Sequence, residues 1–501
     1  MEITGVTYSV DHYNQFAETG DKNYFEEIID AMILDGISGM NDTFRNAIRG
    51  LSRDKKRMTI LSLLDKDLNL FKRIKALTDK NIGKMDHIKD IILMLREYVK
   101  VGEVEKKKFG EVMTPLELVK EMLATLPEEV WSNPNLKWLD PANGTGPYPI
   151  MVIYKLMIGL AEWEPDAEKR YKHIVENMIY VCELQPKNMF LYMCAVDPFD
   201  TYKLNIYTGS FLEVDFDKHM KDVWGVEKFD VVMGNPPYNG AETGGGNSLW
   251  DKFIRKSIPK INEDGFLVLV HPASWRKPPS PRSKTKDIWG LLTKENQLLY
   301  LEIHSTQDGI KVFNAGTRYD FYCMRKKKER FDTIIIDEVG KKTVIDLYDW
   351  NFLPNYNLEK ISPLIGEGCE ILFSRSAYGQ DAKHVSNCES DDFRYKLVHS
   401  ITKDGPRFLY SSRNDRGLFN VSKVIFGESG LNDALIDMNG DYAMTSHSFA
   451  IKVDSVEQAE IVRNSLLSEN FKEIIKSCMW GNFAIDWRLF TFFKKDFWNY
   501  I

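Results

Sequence analysis

The sequence predicts an α/β protein: a mostly parallel sheet in the middle of the chain, a helical region before it and an α+β domain after it. Three observations carry this. Short β-rich runs recur at 136–140, 178–182, 205–207, 229–234, 266–270, 298–303 and 319–324. Stretches able to form helices lie between them, starting near Pro149, Pro186 and Asn247. The first run ends in a glycine-rich turn. Strands alternating with helices argue for parallel pairing. In such sheets ligands bind at the carboxyl ends of the strands, where the strand order reverses.

The elements follow in order. Residues 1–105 read as helical; across 85–99, Ile88, Ile91, Ile92, Met94, Leu95 and Val99 fall mostly on one face. No Asp…Glu-x-Lys cluster of nuclease type stands there. The α/β domain spans 106–338. Beyond it, over 339–501, the rhythm is lost: turn-forming clusters at 366–368, 411–417 and 427–430 separate short mixed segments, and a helix is expected over 456–473. There is no internal repeat and no low-complexity tract.

Composition narrows the classes. A chain of 501 residues with 43% hydrophobic content can bury a large core in two to four domains. Six cysteines without a Cys-x-x-Cys pair read as buried free thiols in a reducing compartment, not as a disulfide framework or zinc site, and no metal is expected. No apolar run is long enough to cross a bilayer, and the first residues lack the basic and apolar regions of a signal peptide. A cytoplasmic protein without membrane partners is therefore expected. The net charge of −7 is unlike that of a nucleic-acid binder, but a local basic face matters more than the total. Two basic stretches exist, one with Arg276, Lys277, Arg282, Lys284 and Lys286, the other at Arg325, Lys326, Lys327 and Lys328. Each reads equally as solvated surface or as a phosphate-contacting edge.

Two segments carry chemistry. In the first, a strand ends in Asp140 and runs through Pro141, Ala142, Asn143, Gly144, Thr145 and Gly146 into a helix. Glycines there let the backbone approach a ligand closely, although a plain strand-to-helix turn looks the same. In the second, the hydrophobic run 229–234 feeds Asn235, Pro236, Pro237 and Tyr238. The prolines fix the backbone and remove two N–H donors. The Asn235 side-chain oxygen and the Pro236 carbonyl can then both accept from one exocyclic amino group, with Tyr238 as a stacking face.

Over roughly 105–330 these motifs, in this order, resemble the amino-group DNA methyltransferases of restriction–modification type, gamma class, with N6 of adenine as target. The resemblance implies a Rossmann-like, S-adenosylmethionine-dependent fold in a bacterial or phage-infected cell. It implies that Thr114 and Pro115 contact the methionine part of the cofactor, that the turn from Asp140 through Pro141, Ala142, Gly144 and Gly146 holds it, and that Glu183 accepts from its ribose hydroxyls. Where the family has an aspartate for the adenine amino group, this chain has Ser210, followed by Phe211. Ser210 as acceptor and Phe211 as a ring contact are the readings there. Phe313 lies where the family packs an aromatic on an extruded base, and reads equally as a core residue.

The target must be flipped out of the duplex to reach the cofactor. The glycine-rich segment 239–246 reads either as a closing loop or as a linker. His271 reads as a satisfied strand-end histidine. The resemblance makes double-stranded DNA the partner, contacted by Arg276, Lys277, Arg282 and Lys284, with a separate restriction endonuclease as a companion. The C-terminal domain would read the major groove, with Arg375, Gln380, Arg413, Asn414 and Arg416 as candidates. Cytosine N4, an RNA base and a protein glutamine are alternative acceptors for the same chemistry. A non-catalytic specificity subunit is the alternative of another class.

Overall fold

The computed structural model describes residues 2–3, 6–7, 114–197, 201–239, 248–280, 283–374, 377–380, 382–480 and 484–501. The helical reading of 1–105 falls outside them, except that Glu2–Ile3 and Val6–Thr7 pair as short antiparallel strands. The chain forms two compact units, Met1–Pro272 with Leu292–Ile334, and Ala273–Leu291 with Ile335–Ile501. The boundary expected at 338 is therefore corrected: the second unit begins earlier and also takes 273–291.

The first unit is built on strands β1 (Trp138–Asp140), β2 (Ile179–Glu183), β3 (Asn205–Thr208), β4 (Phe229–Gly234), β5 (Ile261–Pro272), β6 (Gln297–His304) and β7 (Tyr319–Arg325). Their order is β6-β7-β5-β4-β1-β2-β3. The five from β5 to β3 are parallel, and β7 enters antiparallel between β5 and β6. Helices α1 (Leu116–Leu123), α2 (Pro147–Gly159), α3 (Ala167–His173), α4 (Pro186–Val196), α5 (Val214–Asp222), α6 (Trp250–Ser257) and α7 (Thr306–Phe313) lie along the same chain. β1 and β2 are buried at every residue and β4 at all but one, which explains their near-continuous apolar runs. Local signals set the helix ends. Pro147 opens α2, where its missing N–H costs nothing. Ser305 and Asp308 form a reciprocal cap on α7.

Strand order reverses at β1, whose neighbours β2 and β4 belong to the two halves of the sheet. The crevice beyond the carboxyl ends of β1 and β4 is therefore the expected ligand site. Both chemistry-bearing segments emerge at this point.

The second unit holds strands β8 (Ile371–Phe373), β9 (Val385–Ser386), β10 (Tyr395–Thr402), β11 (Gly405–Ser411), β12 (Lys423–Gly427), β13 (Gly430–Asp437), β14 (Ala443–Met444) and β15 (Ser448–Lys452). They make two four-stranded sheets, β8-β15-β12-β13 and β9-β11-β10-β14. Val398, Ile401, Ile425, Met444 and Ala450 form a core shared by both. Between β12 and β13, Lys423 Nζ donates to Asp437 Oδ2 at 2.6 Å, both side chains out of solvent. The helix expected over 456–473 is two, α8 (Val456–Leu467) and α9 (Glu469–Ser477). Ser468 breaks it: its backbone is extended and its hydroxyl oxygen accepts from Phe471 N at 3.1 Å, capping α9.

Among the described residues no helix is long and apolar enough to cross a membrane. Cys182, Cys323, Cys369 and Cys478 are buried free thiols, as expected, but Cys388 is exposed.

Candidate active site

The turn after β1 is shaped by what it must avoid. A β-carbon on Gly146 would stand 2.4 Å from the Tyr192 ring, and the residue has φ +97°, so only glycine fits. A β-carbon on Gly144 would meet nothing within 4 Å among the described residues. Its N–H donates to Glu183 Oε2 at 2.8 Å, and Glu183 Oε1 accepts from Gln185 N at 2.8 Å. The acid at the end of β2 is thereby held against the glycine turn. Ser210 joins them at the end of β3, where Gly209 N donates to the Glu183 carbonyl at 2.8 Å.

Several buried polar atoms at this end of the sheet have no hydrogen-bond partner among the described residues: Asp140 Oδ2, Asn143 Oδ1, Thr145 Oγ1 and Thr208 Oγ1. Native interiors satisfy nearly all such groups, so a cluster of orphans marks a place for a polar ligand. Asp140 is fully buried, and burial pushes its carboxyl up to about 8; the Ala142 N–H lowers it and the nearby Glu183 charge raises it. A buried carboxyl of this kind is complementary to a cation. Open space at Gly144, the two carboxylates and the orphaned polar atoms together fit S-adenosylmethionine, which carries a sulfonium, an ammonium and ribose hydroxyls. Asn143, Thr145 and Thr208 escaped sequence reasoning, although two of them sit inside the turn itself.

Asn235, Pro236, Pro237 and Tyr238 leave β4 across from this turn. Asn235 Nδ2 donates to Thr114 Oγ1 at 3.0 Å, joining the segment before α1 to the end of β4. With the nitrogen so engaged, the amide oxygen points the other way. Pro115 precedes α1 and accepts from Val119 N through its carbonyl at 3.1 Å. Tyr238 is half-buried, and its hydroxyl has no hydrogen-bond partner among the described residues. Its ring meets Phe313 edge-on, with centroids 6.4 Å apart, and Phe313 meets Tyr319 at 4.8 Å. Phe313 is buried in the core with Tyr319, which is the core-residue reading of it, and only Tyr238 remains half-buried at the crevice. Segment 240–247 lies outside the described residues. Its flanks are joined by an Asn239–Ser248 bridge and by Leu249 N donating to Tyr238 O at 3.1 Å.

Two readings are corrected, those of Phe211 and Arg276. Phe211 does not offer a face to a cofactor: at 1% exposure it stacks on Phe253 and meets Phe216 edge-on, inside the core. Ser210 Oγ already accepts from Leu212 N at 3.2 Å in a local turn, which leaves it a weaker acceptor than the expected acid. Arg276 is wholly buried and donates to Leu353 O, Pro354 O and Asn355 Oδ1 at 3.0–3.1 Å, so it serves the second unit's interior and not a phosphate. Of the basic loop, Lys284 is exposed and Lys277 half-buried. Arg282 lies outside the described residues. Lys326 is bonded to Ile261 O at 2.8 Å and Arg325 to Asp264 at 2.9 Å at the edge of the β5–β7 ladder, while Lys328 is exposed.

His271 is the satisfied histidine expected of it. It stacks on Trp250 at 4.3 Å, bonds Pro272 O and the Tyr322 hydroxyl, and burial pushes it down to about 3. In the second unit, Gln380, Asn414 and Arg416 are exposed, and Arg413 is paired with Asp415 at 2.6 Å. Tyr378 clasps this loop: its hydroxyl accepts from Arg416 N at 3.1 Å and donates to Gly417 O at 3.3 Å. Arg375 lies outside the described residues.

Residues 168–313 match the family model described as Eco57I restriction-modification methylase. An uncharacterized adenine-specific methylase of Mycoplasma pneumoniae (strain ATCC 29342 / M129 / Subtype 1) is 28% identical over 235 residues, 33% of this chain and 55% of that protein. The chain thus spans about half the length of this curated relative. Among solved structures, a nuclease-deletion mutant of the Type ISP restriction-modification enzyme LlaGI in complex with a DNA substrate mimic matches with a TM-score of 0.50 at 12% identity, over 93% of this chain and 59% of that one. At that identity the likeness speaks for the fold alone. The stretch that matches the restriction-modification methylase model runs from α3 to α7 of the first unit and includes β4 and the Asn235–Tyr238 segment at the crevice of the 3-2-1-4-5-7-6 sheet.

Proposed function

We propose that the protein transfers a methyl group from S-adenosylmethionine to N6 of an adenine flipped out of double-stranded DNA. The observation that carries this reading is the placement of Asn235, Pro236, Pro237 and Tyr238 across from the Asp140–Gly146 turn, with the Asn235 amide held by Thr114.

The bound cofactor would supply an already activated methyl donor; the chain's own residues supply position and charge. Asp140 and Glu183 hold the cationic and hydroxyl ends. An adenine amino nitrogen is a poor nucleophile, because its lone pair is delocalised into the ring. The Asn235 oxygen and Pro236 carbonyl accept its two N–H hydrogens, favour a pyramidal nitrogen and stabilise the positive charge that develops there. The new N–C bond forms as the C–S bond breaks, and the product ammonium gives its proton to water. Tyr238 offsets lost base stacking, by on the order of 1–3 kcal/mol for its stacked face. In the second unit, Lys284 and Lys277 take backbone phosphates, and the Tyr378-held loop with Asn414 and Arg416 contributes to target recognition.

Incubation with labelled S-adenosylmethionine and unmodified plasmid DNA should yield labelled 6-methyladenine. Label in 4-methylcytosine, or only in RNA or protein, would overturn the acceptor assignment. Asn235→Ala should lower turnover at least 100-fold while cofactor affinity stays within a few-fold of wild type.

A further inference from the structure

We infer that the second unit carries a mononucleotide site, which takes the base of one nucleoside phosphate against the aromatic side chains around Trp487 and its phosphate at Lys277. The inference extends the reading of Lys277 as a phosphate contact and does not depend on methyl transfer.

Two hollows of the second unit meet at Lys277 and Arg488, which line both. Their volumes are about 370 and 410 Å³, at the small end of the range for ligand sites. The linings differ in kind. The first is aromatic, with Phe373, Phe449, Trp480 and Trp487 beside the carboxylates of Glu428 and Asp486. Phe373 and Trp487 are already stacked on each other, with centroids 4.9 Å apart and planes 24° from parallel. The second is cationic and hydroxylic: Lys277, Lys286 and Arg488 stand with Ser280, Ser283 and Thr285, and no carboxylate lines it among the described residues. The Ser283 and Thr285 hydroxyls bond each other at 3.0 Å, which uses one of their two protons and leaves the other for a ligand.

The shared wall suits an anion. Lys277 is half-buried, and its ammonium has no hydrogen-bond or ion-pair partner among the described residues. Burial pushes this amine below its ordinary value; the Asp486 charge opposes the shift and the Arg488 charge adds to it. A partly desolvated cation without a counter-ion is costly, and a bound anion offsets the cost. Asp486 is committed elsewhere: it accepts from Arg488 Nε at 2.8 Å and from a terminal guanidinium nitrogen at 2.5 Å. That pair holds Arg488 in place and leaves Lys277 to be matched by a ligand.

The ligand that fits both hollows has a flat ring with N–H groups for the carboxylates, and an anionic group a short distance away. A nucleoside phosphate has this form. Its base stacks on the aromatics, and its phosphate oxygens accept from Lys277, Lys286 and the hydroxyls. A base inside a duplex has both faces covered by its neighbours, so the nucleotide is either free or drawn out of a strand.

Equilibrium dialysis of the full chain tests this, with S-adenosylhomocysteine saturating the cofactor site. The probes are the four deoxynucleoside 5′-monophosphates, the matching nucleosides, inorganic phosphate and a short single-stranded oligonucleotide. A monophosphate should bind at least tenfold more tightly than its nucleoside or than phosphate alone. Lys277→Gln should weaken the monophosphate about tenfold and leave the nucleoside within twofold. Trp487→Leu should weaken both about tenfold; a thermal melt checks that it folds, and Lys277→Gln carries the test if it does not. A strand that binds more tightly than the monophosphate, and responds to the same variants, assigns the site to a base drawn out of DNA. A strand that binds no better assigns it to a free nucleotide. Phosphate binding as tight as the monophosphate, or nucleotide binding that Lys277→Gln leaves unchanged, overturns the site. A wild type that methylates DNA but binds none of these probes overturns it too, with the proposed function intact. Binding that depends on Lys277 in a protein that methylates no DNA leaves the site standing and sinks the proposed function alone.

Discussion

A β-carbon placed on Gly234 would lie 2.9 Å from Asp140 Oδ1, so the ends of β4 and β1 touch at a point where no side chain fits. Gly234 also has φ +152°, a conformation that L-residues rarely adopt. The Asn235–Tyr238 segment and the Asp140–Gly146 turn are registered to each other by this contact. Gly234→Ala should destabilise the first unit by about 1–3 kcal/mol and weaken cofactor binding at least tenfold, because Asp140 must move. Calorimetry of ligand binding and a thermal melt check both. Wild-type affinity in the variant would show that the contact is incidental.

The buried Asp140 predicts a pH signature. Its carboxyl is raised from an ordinary value near 3.8 to about 8 in the folded protein. The sign is that of a group whose folded state holds its proton more tightly: its contribution to stability is complete below about pH 4 and is lost as pH rises through 8. Asp140→Asn removes that loss. In the absence of cofactor, the melting temperature of the variant relative to wild type should therefore rise from pH 6 to pH 9. A difference that stays flat with pH would refute it.

Three histidines give the opposite slope. Burial pushes His271 down to about 3 and His219 and His304 each to about 4, from an ordinary 6.5. A depressed folded value contributes stability above 6.5 that is lost as pH falls towards 3–4. Melting temperature should drop across that window, and His271→Phe, which keeps a ring against Trp250, should flatten the drop. An acid limb unchanged in the variant would count against a neutral His271.

Arg276 and Lys284 lie in one basic stretch but should behave oppositely. Arg276→Met takes the guanidinium donor from Pro354 O and Asn355 Oδ1, while Leu353 O keeps Trp480 Nε1 at 2.8 Å, a cost on the order of 3 kcal/mol in the second unit. It should not change the salt dependence of DNA binding by any surviving folded protein. Lys284→Ala should leave the melt unchanged and reduce the slope of log affinity against log salt by about one. Equal effects from both would remove the distinction.

The sequence by itself determined the order of strands and turns and most of the site. The run 229–234 is a strand over the very residues Phe229–Gly234, because its apolar continuity reflects burial on both faces of a parallel sheet. The glycine turn, Glu183 and the Asn235–Tyr238 segment were legible because each depends on local backbone chemistry: a positive φ, a strand end, a missing N–H. Only the tertiary structure decided which side chains face the crevice. Arg276 reads as surface until the acceptors around 353–355, far along the chain, close on it. Phe211 reads as a cofactor contact until Phe216 and Phe253 enclose it. The partnerships of Thr114 with Asn235 and of Tyr148 with Met122 span segments whose separation in sequence carries no signal of contact. Burial and hydrogen bonding are properties of neighbours in space, so they are fixed only when the strands assemble.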